Sequence, residues 1–205
     1  MIYIISTGSK GNAVIYDTIL VDCGVPFSKI KPYLSKIELV LLTHEHGDHF
    51  NLKTIKKLAF EKPTLRFGCG EFLSDKLIGI RSVDIYAAGK IYNYGKFKIS
   101  PVILYHDVKN FGYRIFINEK KIFHSTDTAH LKGITAKNYD VYALEANYDE
   151  GNVENVINEK ISRGEYAHQI ASIHSHLSLQ QAQDFILNNA GETYEFIRLH
   201  ESEEF

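Results

Sequence analysis

Hydrophobic and polar positions along the chain switch between two periods. "YIIS" (3–6) and "AVIYDTILVD" (13–22), with a tight turn near Asp17–Thr18, read as strands. "ELVLLT" (38–43) is a short, fully apolar run of the kind a buried strand shows. Further strand-like runs are "TLRFG" (64–68), "SVDIYA" (82–87), "KIYNYGKFKISPVIL" (90–104), "FGYRIFI" (111–117), "KKIFHS" (120–125) and "YEFIRL" (194–199). The helical period appears after Asn51, which can cap a helix with Leu52, Ile55, Leu58 and Ala59 on its apolar face. "VENVINEKISRG" predicts a helix ending at Gly164. In "SLQQAQDFILNNAG", Ser178 and Gln181 form a capping box, Ala182, Phe185 and Ile186 line one face, and Gly191 is the expected stop. No linker, repeat or low-complexity tract divides the chain. The expectation is one α/β domain over residues 1–205, with sheets sandwiched between helices.

Composition narrows the function classes. The 205 residues suffice for one well-buried domain. No stretch approaches the ~18 apolar residues of a membrane span. "MIYIISTGSKGN" lacks the basic start and long apolar stretch of a signal peptide. A formal net charge of −2 gives no global attraction to nucleic acid or membrane. The four lysines of "LKTIKKLAFEK" (52–62) suit a solvated helix face or a phosphate contact. The two cysteines, Cys23 and Cys69, have no CxxC spacing and suggest a reduced, cytoplasmic protein.

The candidate chemistry lies in "LLTHEHGDHF" (41–50), where three histidines and two acids follow an apolar run. In extended chain, residues two apart point the same way, so His44 and His46 can clamp one ion. Asp48 and His49, where the chain turns toward the next helix, can face a second. Imidazole and carboxylate at this density suit Zn²⁺ or Mn²⁺. A dinuclear site needs more ligands, preferably a bridging carboxylate. His106, Asp127 and His200 each sit just past a strand-like run, where α/β sheets place their sites. Asp107, beside His106, is another possible ligand.

"THEHGDH" followed by His106, Asp127 and a late His resembles the metallo-β-lactamase fold superfamily. "STGSKGNAVIY…ILVDCG", "YHD", "STDT" and "LEANYD" resemble its WalJ/YycJ-like branch. The resemblance implies an αβ/βα four-layer sandwich and two divalent ions, Zn or Mn. It assigns His44, His46 and His106 to the first ion, Asp48, His49 and His200 to the second, and Asp127 as the bridge. Of the remaining histidines, His124, His130 and His168 are expected to be structural or exposed, and His174 could reach the same pocket as His176.

"LEANYDEG" (144–151) resembles the acid-bearing motif of tRNase Z, and "SHLSLQQAQDF" resembles the helix start of those nucleases and the "GHLSN" of the WalJ branch. In that family the acid and histidine form a proton-donating pair; carried over, Glu145 would orient and charge His176. An imidazolium near a poor leaving group helps phosphodiester cleavage, and Asp48 could orient or deprotonate water. Ser9 and Asn12, in the "GSKGN" turn, could donate to a phosphate. The sequence departs from the branch in reading "SHLSL", without the Gly and Asn of its motif. "YDEGNVENVINEKISRGEYAHQ" is too short for the tRNase Z arm, which disfavours transfer RNA processing. The expected activity is a WalJ-like DNA exonuclease. The alternatives are hydrolysis of small or cyclic nucleotides, of a lactone or thioester on the same metals, or a binding module without catalysis. The expected partner is a nucleic acid or nucleotide; oligomeric state is left open.

Overall fold

The computed structural model describes residues 1–163 and 173–201. The chain divides into two compact units: Met1–Lys90 with Val108–Phe111, and Ile91–Asp107 with the chain from Gly112 onward.

The first unit is built on a six-stranded sheet in the order β1-β2-β3-β4-β5-β6. Its strands are β1 (Ile2–Ser6), β2 (Ala13–Tyr16), β3 (Ile19–Val21), β4 (Leu39–Leu41), β5 (Arg66–Gly70) and β6 (Val83–Tyr86). β1, β2 and β3 are antiparallel, and the β2–β3 hairpin turns at Asp17, whose φ is 58°. β3 through β6 are parallel, with Val21 opposite Leu41. The short helix α1 (Phe27–Ile30) and the helix α2 (Leu52–Glu61) lie in the first two crossovers, and a 3-10 stretch, Glu71–Leu77, lies in the third. As expected, Asn51 caps α2 by accepting from the Thr54 N–H at 3.2 Å. Ile55 and Leu58 bury fully in a core with Leu20, Val40 and Phe67. Two lysines of this segment, Lys57 in α2 and Lys62 just past it, have local tasks. Lys57 lies over the Phe27 ring, and Lys62 donates to the carbonyls of Leu34, Ser35 and Ile37.

The second unit carries the other six-stranded sheet, in the order β12-β11-β10-β9-β8-β7. β7 (Tyr92–Asn93) and β8 (Phe97–Leu104) split the long run at the Gly95 turn. β9 (Asn110–Ile117) and β10 (Lys120–Ser125) form a hairpin through Asn118 and Glu119, both at positive φ. β11 (Val141–Glu145) and β12 (Glu195–Leu199) continue parallel to β10. Ser125 pairs with Leu144 and Glu145 with Leu199, which aligns the carboxyl ends of all three strands.

Two helices of this unit bear on the site. α3 (Glu150–Ser162) begins three residues before the expected run, because Asp149 caps it on the Gly151 N–H at 2.8 Å. Its expected stop, Gly164, lies outside the described residues, as does His168. α4 (Leu179–Asn189) has the full capping box of Ser178 and Gln181. Its stop differs from the expectation. The chain turns extended at Ala190, one residue before Gly191, while the Asn189 side chain bridges the Phe185 carbonyl and the Ala136 N–H. Ala182, Phe185 and Ile186 pack with Phe123, Tyr142 and Leu144 as the unit's core.

Candidate metal centre

In the first unit, β3 and β4 run side by side and end together, so Asp22 and Thr43 emerge from adjacent strands. Asp22 is 2% exposed, a costly place for a carboxylate unless its lone pairs are used. They are: it accepts from the Thr43 N–H at 2.9 Å, the Thr43 hydroxyl at 2.8 Å and His49 Nδ1 at 2.6 Å. Burial pushes the Asp22 carboxyl above its ordinary value, opposed by the charge and hydrogen bond of His49 and the bonds from Thr43. The Asp22 and Asp127 backbones, at φ 62° and 52°, and that of His200, at 50°, occupy the left-handed region. Such strain in non-glycine residues collects where side chains must be aimed.

These bonds decide where the imidazole protons sit. The Thr43 hydroxyl has one hydrogen, which goes to the acceptor-only carboxylate, so His44 Nδ1, 3.0 Å away, donates to the hydroxyl oxygen. His49 likewise holds its proton on Nδ1 against Asp22. Both rings therefore present an unprotonated Nε2, the state that metal binding requires. The rings of His44 and His46 are 4.8 Å apart and those of His44 and His49 4.3 Å. Asp48 Oδ2 lies 3.5 Å from His49 Nε2. Glu45, by contrast, turns to Lys76 at 2.6 Å.

The loop of residues 8–12 closes over this cluster. The Asn12 side-chain Oδ1 accepts from the Gly8 N–H at 2.8 Å, which points its Nδ2 at His49 Nε2, also 2.8 Å away, and at Asp48. Asn12 thus braces the ligand loop, and a metal on His49 Nε2 would displace its amide from that lone pair. Ser9 is exposed. Gly24 is required for closeness: a Cβ there would stand 1.6 Å from the Asp48 carbonyl oxygen.

In the second unit, the strand register brings together His106 past β8, Asp127 past β10, Glu145 at the end of β11 and His200 past β12. His106 Nδ1 donates to the Ser175 carbonyl at 3.0 Å, again leaving Nε2 for a metal. That Nε2 is 3.8 Å from Asp127 Oδ2, while His200 Nε2 is 3.8 Å from Asp127 Oδ1, so the two carboxylate oxygens face different imidazoles. Asp107 Oδ1 also approaches His106 Nε2, at 3.0 Å, from a largely exposed side chain. Burial holds the His106 imidazole below its ordinary value, opposed by Asp127 and Asp107. His200 Nδ1 faces Asn147 Nδ2 at 3.1 Å and Glu145 Oε1 at 3.6 Å, and the Asn147 amide also grips the His200 carbonyl.

His176 stands beside this group. Its Nδ1 is 2.5 Å from Glu145 Oε1, and its ring stacks parallel on that of His200 at 5.2 Å. Glu145 is fully buried, with Oε2 accepting from the Thr128 N–H at 2.8 Å and the Leu177 N–H at 3.2 Å. Burial alone would lower the His176 pKa; the charge and bond of Glu145, with Asp127 and Asp107, outweigh it and push the imidazole up to about 9. One donor atom each from Asp127, Glu145, His176 and His200 fall within 4.8 Å of one another. His174 is exposed, His124 is buried in β10, and His130 stacks on Tyr105.

Every expected site residue thus sits in one of two preorganised sets: His44, His46, Asp48 and His49 in the first unit, His106, Asp127, Glu145, His176 and His200 in the second. Sequence reasoning missed Asp22 and Asn147 as supports. For Asp22 a signal existed, an acid embedded in the apolar run "ILVDCGV".

The chain belongs to the β-lactamase superfamily domain family, whose pattern it matches over residues 17–193. Among characterised relatives, it is 24% identical over 165 residues to exodeoxyribonuclease YycJ of Bacillus anthracis. That match takes in 71% of this chain and 62% of the relative, so the chain spans about six tenths of that protein's length. The metallo-β-lactamase fold protein YhfI from Bacillus subtilis superposes with a TM-score of 0.74 at 18% identity, covering 98% of this chain and 86% of YhfI. The human tRNase Z short form does so at 0.71 and 16% identity, covering 98% and 92%. At these identities the superpositions show the metallo-β-lactamase fold. No helix among the described residues is long and apolar enough to cross a membrane.

Proposed function

We propose that the chain is a divalent-metal hydrolase of phosphodiester bonds, and in particular a WalJ-like DNA exonuclease. The observation that carries this reading is the Glu145–His176 pair beside Asp127 and His200. A phosphodiester leaving oxygen needs a proton, and His176, charged by Glu145, is placed to provide one. Hydrolysis of a lactone or thioester makes less use of such a pair.

His44, His46 and His106 would hold one ion, Asp48, His49 and His200 a second, with Asp127 between them; Zn²⁺ and Mn²⁺ both suit these donors. Bound divalent ions supply Lewis-acid polarisation of the phosphoryl oxygen and acidify water at neutral pH. The chain's own residues do the rest. Asp22, Thr43 and the Ser175 carbonyl keep three imidazoles in the ligating tautomer. Asp48, part-exposed beside His49, orients the attacking water. His176 Nε2 donates its proton to the departing oxygen, and Glu145 holds the ring in line throughout. Two relatives with nuclease names, YycJ and tRNase Z, support phosphodiester chemistry. The buried thiols Cys23 and Cys69 suit a cytoplasmic setting.

The test is cleavage of end-labelled linear duplex DNA by protein loaded with Mn²⁺ or Zn²⁺. Stepwise shortening is expected, and Asp127→Asn should lose both the activity and one equivalent or more of bound metal. His176→Ala should keep the wild-type metal content and slow cleavage by ~100-fold or more. Intact DNA with two ions bound would rule out the exonuclease and direct the assay to cyclic nucleotides. Full activity of His176→Ala would overturn the acid role.

A further inference from the structure

Tyr105 lies between the end of β8 and His106, one Cα step of about 3.8 Å from that ligand position. Tyr105 is 47% exposed, and its ring packs on the His130 imidazole with centroids 4.2 Å apart and planes tilted by 38°. A single exposed tyrosine is ordinary. What sets this one apart is the support beneath it. The Tyr105 N–H donates to Thr128 Oγ1 at 3.0 Å, its carbonyl accepts from the Ala129 N–H at 2.7 Å, and the Thr128 hydroxyl donates to the His130 carbonyl at 3.0 Å. The Thr128 N–H is in turn fixed on Glu145. Both rings are therefore tied to the segments that carry His106 and Asp127.

The His130 ring adds a second observation. Its Nδ1 is shielded from solvent and has no hydrogen-bond partner among the described residues. Leaving a buried polar atom unmet is unfavourable, and the ring contact with Tyr105 is the interaction the imidazole does make. The pair amounts to a two-ring stack with an exposed tyrosine, held by backbone bonds to the segments that carry His106 and Asp127.

We propose that the Tyr105–His130 stack is a nucleobase subsite, on which the base of the nucleotide flanking the scissile phosphate stacks. The inference rests on the phosphodiesterase reading and names a recognition element for it. Stacking on an aromatic face tolerates every base, because each has a π face. That suits an exonuclease, which must accept whichever nucleotide comes next.

The experiment uses the full metal-loaded chain and a phosphorothioate-blocked oligonucleotide with 2-aminopurine at its terminal nucleotide. Wild type should quench the 2-aminopurine fluorescence on binding. Tyr105→Phe should retain quench and affinity. Tyr105→Leu, which keeps apolar bulk without a ring, should lose the quench and bind about 10-fold more weakly. An abasic terminal nucleotide should weaken wild type by a similar factor and leave the Tyr105→Leu affinity where it was. Full quench and affinity in Tyr105→Leu, or no quench by wild type, would overturn the subsite. Quenching by a wild-type chain that never cleaves unblocked DNA would sink the nuclease reading and leave the subsite standing. Cleavage with an unquenched base would do the reverse.

Discussion

Asp22 is almost wholly buried, yet each of its hydrogen bonds bears on another site residue. By taking the Thr43 hydroxyl proton and the His49 Nδ1 proton, it sets the tautomers of two imidazoles at once. Asn at this position would present an N–H to one of those donors. Asp22→Asn is therefore expected to weaken metal binding by about 10- to 100-fold, read by competition with a chromophoric chelator. Unchanged affinity would mean that the tautomers are held by something else. His106 reaches the same state by another route, through the carbonyl of Ser175, 69 positions along the chain.

At the scale of elements, the site depends on where strands and helices stop. β10, β11 and β12 are parallel and in register, so the residues at or after their carboxyl ends meet at one edge. α4 performs a comparable task at its start. Its capping box fixes Ser178, two residues past His176, and the Ser178 hydroxyl also reaches Glu150 Oε1 at 2.6 Å in the first turn of α3. Ser178→Ala should cost about 1 kcal/mol of stability, measured by urea denaturation, from loss of the cap. A variant as stable as wild type would show that the capping box carries little. Periodicity located α2, α4 and most strands well, since apolar faces at 3.6 or 2 residues are a local property. The same periodicity places the start of α3 too late, because its cap, Asp149, lies before the apolar pattern begins.

For the molecule as a whole, the pair of buried Glu145 and part-buried His176 links stability to pH. His176 rises from 6.5 to about 9 on folding, because Glu145 and its neighbours favour the charged ring despite burial. A group whose pKa is raised by folding contributes stability that is complete below its unfolded value and is lost as pH rises through its folded value. Chelator-treated protein should therefore lose this contribution between pH 6.5 and about 9. Denaturation midpoints across that window should fall for wild type and change less for His176→Gln. Equal slopes for the two would remove the pair from the stability of the fold.

The sequence by itself determined the element types and the family, and it named the candidate ligands. These rest on local facts: the period of apolar positions, the density of "THEHGDH", and the placing of His106, Asp127 and His200 after strand-like runs. Only the tertiary structure decided which nitrogen of His44, His49 and His106 carries the proton, that Asn12 braces the His49 loop, and that Tyr105 and His130 stack. Those outcomes depend on hydrogen bonds and ring contacts of a few ångströms between residues distant in sequence. Such bonds are directional and short-ranged, so a chain yields them only once folding has brought the partners together.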